Sequence, residues 1–153
     1  MLLSKACIYG LRASLFLAST ERSSFISISR ISEQLDISRH FLTKILQELT
    51  QSGLLESLKG PNGGVRFVKP ASEIRLIDVV EAIDGLDLLN ECVLGLPGCG
   101  NEKPCPVHEE WSETRGELRQ MLEENTLTEI AGKGKQFNLR ITEKGDFNWM
   151  EET

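Results

Sequence analysis

Several large classes of protein are excluded by what this chain lacks. No uninterrupted apolar run in its 153 residues is long enough to cross a bilayer. The opening stretch MLLSKACIYGLRASLFLAS sets a lysine before an apolar run, as a secretory signal does, but Arg12 interrupts the run and the pattern suits an amphipathic helix. The glycine-rich GPNGG at 60–64 is not followed by the Lys-Ser/Thr pair that a phosphate-binding loop needs. No Cys-x2-Cys pair occurs, so the short-paired zinc modules are absent. No internal repeat is present. Cys105 and His108 are close enough in sequence to suggest a nucleophile and base, yet no oxyanion site or substrate pocket can be read beside them, so the chain is not expected to be an enzyme.

What is present fits one domain with a single core, with room for an arm or tail. The apolar share of 40% is ordinary for a folded protein. Four cysteines in a chain read as cytoplasmic point to metal or redox chemistry rather than structural disulfides. The formal net charge of −6 hides an asymmetry. Residues 1–75 carry ten Lys/Arg and six Asp/Glu, a net of +4, while residues 76–153 carry seven and seventeen, a net of −10. The first half can approach a polyanion while the second faces elsewhere.

The spacing of apolar residues predicts a helix over 4–19, with Ile8, Leu11, Leu15 and Ala18 as its stripe. Ser29 is read as opening a short helix with Ile31 and Leu35. After the tight DIS connection, Ser38 caps a second helix through about Gln51, whose core face is Leu42, Ile45, Leu46 and Leu49. Runs 54–58 and 65–69 flank KGPNGG as a β-hairpin. Leu76, Val79, Val80 and Ile83 predict a helix over 75–84 that Gly85 stops. A cysteine loop follows, and then a helix over 109–125 with Trp111, Leu118, Leu122 and Asn125 near heptad spacing and Met121 beside them. From Gly132 the chain is polar and reads as a flexible tail.

Three helices and then a hairpin is the order of a winged helix-turn-helix, in which the second helix of the close pair enters the major groove of double-stranded DNA and the wing lies along the backbone or minor groove. If Leu42, Ile45, Leu46 and Leu49 are buried, the opposite face presents Arg39, His40, Thr43, Lys44 and Gln47. Arg and Gln can make paired contacts to bases, Thr can meet a thymine methyl, and Lys neutralises phosphate. The wing adds Lys59, Asn62 and Arg66.

The cysteines are spaced Cys92-x6-Cys99-x5-Cys105-x2-His108. Thiolates bind soft and borderline metals, and imidazole is a natural fourth donor. Gly95, Pro97, Gly98, Gly100, Pro104 and Pro106 let a short loop curl so that the donors converge. Residue chemistry alone leaves three readings open: a structural zinc site, a thiol-based redox switch, and an iron–sulfur cluster.

The stretch ISRISEQLDISRHFLTKILQELTQSGLLESLKGPNGGVRFVKPASEIRLIDVVEAIDG resembles the DNA-binding half of the IscR/NsrR/RirA family of bacterial winged-helix regulators. The GPNGG wing turn, the IRLIDVVEAIDG helix and the later cysteines match in order, and the resemblance covers about residues 1–130. It implies a mainly α fold with a small hairpin wing and a long dimerisation helix. It also implies a homodimer on an operator in double-stranded DNA, with no membrane or small-molecule substrate as partner. The cofactor it implies is an iron–sulfur cluster, 2Fe–2S ahead of 4Fe–4S, held by Cys92, Cys99, Cys105 and His108, through which redox state, nitric oxide or iron status is sensed. IscR-like members have a histidine just after the third cysteine, as CPVH does here, although their first gap is five residues rather than six. NsrR-like members take the fourth ligand from a carboxylate near the N-terminus of the other subunit. The matching position here is Ile8, which cannot ligate, so Cys7 beside it is an alternative, as are Asp87 and Glu91. The expected division is 1–85 for DNA binding, 86–108 for the cluster loop, 109–131 for dimerisation and 132–153 for the tail.

Overall fold

A computed structural model describes residues 2–20 and 23–143 together with Phe147 and Trp149. The chain runs through α1 (Lys5–Ala18), α2 (Ile28–Leu35), α3 (Arg39–Gln51), β1 (Leu55–Leu58), β2 (Gly64–Phe67), a 3-10 turn (Ala71–Glu73), α4 (Leu76–Ile83), α5 (Asp87–Asn90), α6 (His108–Glu124) and α7 (Leu127–Phe137). Four helices start by one device. The side-chain oxygens of Ser4, Ser27, Ser38 and Thr126 accept from the backbone N–H three residues on, at 3.0–3.2 Å. Each hydroxyl satisfies a donor that has no partner within its helix. The start of α2 is therefore set by Ser27 rather than Ser29.

The hairpin pairs Leu55 with Phe67 and Glu56 with Arg66. Its glycines have steric reasons. A Cβ on Gly63 would strike the Leu58 carbonyl, and one on Gly64 (φ +155°) would strike the backbone of Ile26. That close approach allows Ile26 and Val65 to exchange two backbone hydrogen bonds of 2.9 Å, which fasten the wing to the chain ahead of α2.

Helix α1 runs through the core against α2, α3, α4 and α7. Its deepest residues are Cys7, Gly10, Ala13, Ser14, Phe16 and Leu17, while Ile8, Leu11, Leu15 and Ala18 are only half-buried. The single stripe read from the sequence is corrected accordingly: a helix covered on several sides is apolar around most of its girth, so periodicity does not pick out the buried face. A larger cluster joins the helix-turn-helix, the wing and α7. A smaller one gathers Cys7, Val80, Leu89 and Leu122 from α1, α4, α5 and α6 beneath the cysteine loop.

The far end departs most from expectation. Helix α6 stops at Glu124, and Thr126 and Glu129 form a reciprocal capping box that starts α7. A two-stranded bridge, Leu76 N–H to Asn125 O and Leu127 N–H to Ile74 O at 3.0 and 2.8 Å, ties this joint to the start of α4. Residues 109–131 are thus two helices. Nor are the described residues of 132–153 a loose tail. Helix α7 continues to Phe137, and Thr142, Phe147 and Trp149 are buried. Phe147 packs edge-on to Phe16, and Trp149 donates to the Leu139 carbonyl at 2.6 Å while its ring covers Gly134. Two aromatic anchors, Phe147 and Trp149, outweigh the polar composition around them. The remainder of that expectation, at 144–146, 148 and 150–153, lies outside the described residues.

Candidate nucleic-acid interface and metal centre

Helices α2 and α3 meet at Asp36, whose left-handed backbone (φ +54°) turns the chain between them. Leu42, Ile45, Leu46 and Leu49 are buried as expected. Arg39, His40, Lys44 and Gln47 are exposed on the opposite side, with Thr43 half-buried among them. The Thr43 hydroxyl donates to the Arg39 carbonyl at 2.7 Å. A cleft of about 720 Å³ lies between α3 and the wing, lined by Arg39, Thr43, Gln47 and Lys59 among others. Lys59 and Asn62 are exposed at the wing tip.

Arg66, expected among the wing's DNA contacts, is also engaged within the hairpin. Its Nε lies 2.6 Å from Glu56 Oε1, its Nη1 donates to the Ser23 carbonyl at 2.9 Å, and its guanidinium sits 4.1 Å from the Phe25 ring centroid. It stands opposite Glu56 in the hairpin register, where opposite charges attract across the strands. Arg66 therefore braces the wing. A contact that was not legible in the sequence joins α1 to α3: Tyr9 meets Phe41 edge-on at 5.5 Å, and Lys5 and Arg12 lie over the Tyr9 ring.

Between α5 and α6 the chain turns at Gly95 (φ +70°) and Gly98 (φ +72°), conformations that favour glycine. The turns bring Cys92, Cys99 and Cys105 together, with all three sulfurs within 4.8 Å of one another and Cys92 and Cys105 at 3.5 Å. His108 is the first residue of α6. Its Nδ1 lies 3.5 Å from Cys99 Sγ and its Nε2 3.4 Å from Asn101 Oδ1. The backbone N–H groups of Leu96 and Leu94 draw the Cys92 thiol down to about 7 against the desolvation that raises it. Burial is the main cause that pushes the Cys105 thiol up.

Cys7 is elsewhere. It is fully buried in the smaller cluster, where burial first, then the charge and hydrogen bond of Asp84, push its thiol up to about 12. Asp84 also accepts from the Ser4 backbone N–H at 2.9 Å and from the Ser4 hydroxyl. Asp87 and Glu91 are exposed, and the donor atoms that converge among the described residues are the three sulfurs. Three thiolates closing on one point, with an imidazole at the edge, form a donor set suited to a soft or borderline metal or to an iron–sulfur cluster.

Residues 3–133 match the family described as "Rrf2: Iron-dependent Transcriptional regulator". The chain belongs to the Rrf2 family. It is a transcriptional regulator and not an enzyme. Among solved structures it is similar to CymR, the global cysteine regulator of B. subtilis, at 24% identity over 86% of this chain and 96% of that one, with a TM-score of 0.73. Staphylococcus aureus CymR is 28% identical over 84% and 96% of the two chains, with a TM-score of 0.66. T. potens IscR is 19% identical over 90% and 91%, with a TM-score of 0.71, and it supports the fold. The winged-helix architecture read from the sequence is thereby shown.

One group in this regulator was not read from the sequence. Trp111, Arg115 and Arg119 of α6 all donate to the α5 end of the cysteine loop. Their signal is Trp-x3-Arg-x3-Arg, three donors one turn apart on one side of a helix. The apolar series Trp111, Leu118, Leu122 on the same helix masks that signal. Leu122 itself is buried within its own protomer and Leu118 packs beside it, whereas Met121 is exposed. The near-heptad spacing of Leu118 and Leu122 is thus met by packing within the protomer.

Proposed function

We propose that this Rrf2-family regulator binds an operator in double-stranded DNA as a homodimer in the cytoplasm, and that an iron–sulfur cluster modulates the binding. Arg39, His40, Thr43, Lys44 and Gln47 read the major groove, and Lys59 and Asn62 of the wing contact the backbone or minor groove. Cys92, Cys99 and Cys105 hold the cluster, with His108 as the fourth ligand. The observation that carries this reading is the convergence of the three sulfurs within 4.8 Å beside the His108 ring. The donor set fits the group, since thiolates are the usual cluster ligands and imidazole replaces them in some 2Fe–2S centres. We favour 2Fe–2S over 4Fe–4S on the imidazole. When bound, the cluster supplies reversible electron transfer and reactivity towards oxidants or nitric oxide. The chain's own residues hold it, set its exposure and relay its state to the reading helices.

A second reading is a thiol switch without a cluster. The 3.5 Å between Cys92 and Cys105 favours it, as does the 28% identity to S. aureus CymR, for which an oxidised form has been solved. A structural zinc ion on the same donors is the third. An absorption spectrum of anaerobically isolated protein, with iron, sulfide and zinc analysis, separates them. Charge-transfer bands with acid-labile sulfide support the cluster. Colourless protein with stoichiometric zinc, or with free thiols and no metal, contradicts it.

A further inference from the structure

We propose that Trp111, Arg115 and Arg119 are positioning residues for the Cys92 thiolate. The inference rests on the reading of Cys92, Cys99 and Cys105 as cluster ligands and adds what holds the first of them. Helix α5 is a single turn, so most of its carbonyls have no partner within it. The Glu91 carbonyl accepts from Trp111 Nε1 at 2.9 Å and from Arg115 Nη1 at 3.1 Å. Arg119 Nη2 donates to the Leu89 carbonyl at 3.2 Å and to Asn90 Oδ1 at 2.7 Å, while its Nη1 lies 3.5 Å from Glu123. Two of the three donors are cations at a helix C-terminus, where charge-assisted bonds are strong.

The Glu91 carbonyl belongs to the same planar peptide as the Cys92 nitrogen. Fixing that oxygen from two sides therefore fixes the backbone on which the Cys92 side chain turns. The ladder lies on the helix that begins with His108. Helix α6 thus acts as a rigid ruler, with the imidazole at its first residue and the grip on Cys92 along the three turns that follow. Among the described residues, Cys99 is held instead by its own N–H to the Leu96 carbonyl at 3.3 Å, between Gly98 and Gly100 in a run without regular structure.

The test uses reconstituted holoprotein and the variants Trp111→Phe, Arg115→Lys, Arg115→Gln and a triple Trp111→Phe, Arg115→Gln, Arg119→Gln. The readouts are visible circular dichroism of the centre and the rate of cluster loss to EDTA. Removal of the groups that orient metal ligands typically costs about 10- to 100-fold in affinity. The triple variant should lose its cluster faster by that order and show an altered visible dichroism. Arg115→Lys, which keeps charge and one donor, should fall between wild type and Arg115→Gln. If the triple variant does not fold, Trp111→Phe decides, because it keeps an aromatic ring and removes one donor; a faster loss supports the proposal. Wild-type loss rate and spectrum in the folded variants overturn the ladder and leave the cluster reading standing. Wild-type protein without acid-labile sulfide overturns the cluster reading, and the ladder's role falls with it.

Discussion

Cys99 Sγ and His108 Nδ1 stand 3.5 Å apart, across the junction between a glycine-rich loop and the first residue of a helix. The pair makes the fourth-ligand assignment testable. Replacement of Cys92, Cys99 or Cys105 by Ala should abolish cluster retention. His108→Ala should leave a labile or spectrally shifted centre, and Cys7→Ser should leave it unchanged, because Cys7 lies in a different cluster of side chains. Full iron and sulfide occupancy in Cys99→Ala contradicts the assignment. A cluster lost in Cys7→Ser but kept in His108→Ala moves the fourth ligand to Cys7.

Burial and Asp84 give Cys7 a thiol pKa of about 12 against an ordinary value of 9.0. The unfolded chain releases this proton first, so between those two values the folded state binds more protons and stability falls as pH rises. Below about 9 the contribution is fully present. Urea midpoints measured from pH 8 to 11 should decline less steeply in Cys7→Ala than in wild type. Parallel slopes would mean that its surroundings do not hold the Cys7 thiol protonated.

Lys44 and Arg66 should fail in different ways. Lys44→Ala should weaken operator binding across sequences and reduce the salt slope by about 1, as the loss of a phosphate contact does. Arg66 is engaged by Glu56, Ser23 and Phe25, so Arg66→Ala should lower the melting temperature and leave the salt slope almost unchanged. A drop in salt slope for Arg66→Ala equal to that for Lys44→Ala would restore Arg66 to the DNA contacts.

Met121 and Leu122 are neighbours on α6 with opposite environments, exposed and buried. Leu122→Ala should destabilise the fold by about 2–5 kcal/mol, as buried leucine truncations do. Met121→Asp should stay folded and sediment as a monomer if α6 carries the dimer contact. A folded dimer in Met121→Asp places the interface elsewhere.

How far the sequence could be read follows from which interactions are local. Helix α3 was legible because its cap, Ser38, and its core leucines and isoleucine lie within one short period. The wing was legible from GPNGG, whose Gly63 and Gly64 answer to nearby backbone. The cysteine loop was legible as a donor set, and its glycines as the means of convergence, but not as a spacing between sulfurs. Helix α7 was missed although Thr126 and Glu129 have capping-box spacing, because the polar residues after Gly132 outweighed that signal. Arg66 and the Trp111, Arg115, Arg119 ladder were not legible. Their partners are 10 to 43 and 20 to 30 residues away, and only the fold brings them together.

The most direct test of the account is a fluorescence-anisotropy titration of one operator duplex with holoprotein, metal-free protein and the Cys92→Ala, Cys99→Ala, Cys105→Ala variant at one fixed salt concentration. Helix α4 leads towards the cysteine loop and packs on α3, which gives the proposed coupling between loop and DNA a physical route. Couplings of this kind are typically about 5- to 150-fold. The account predicts a difference of that order between holoprotein and metal-free protein, with the triple variant matching the latter. Equal affinity in all three would contradict it.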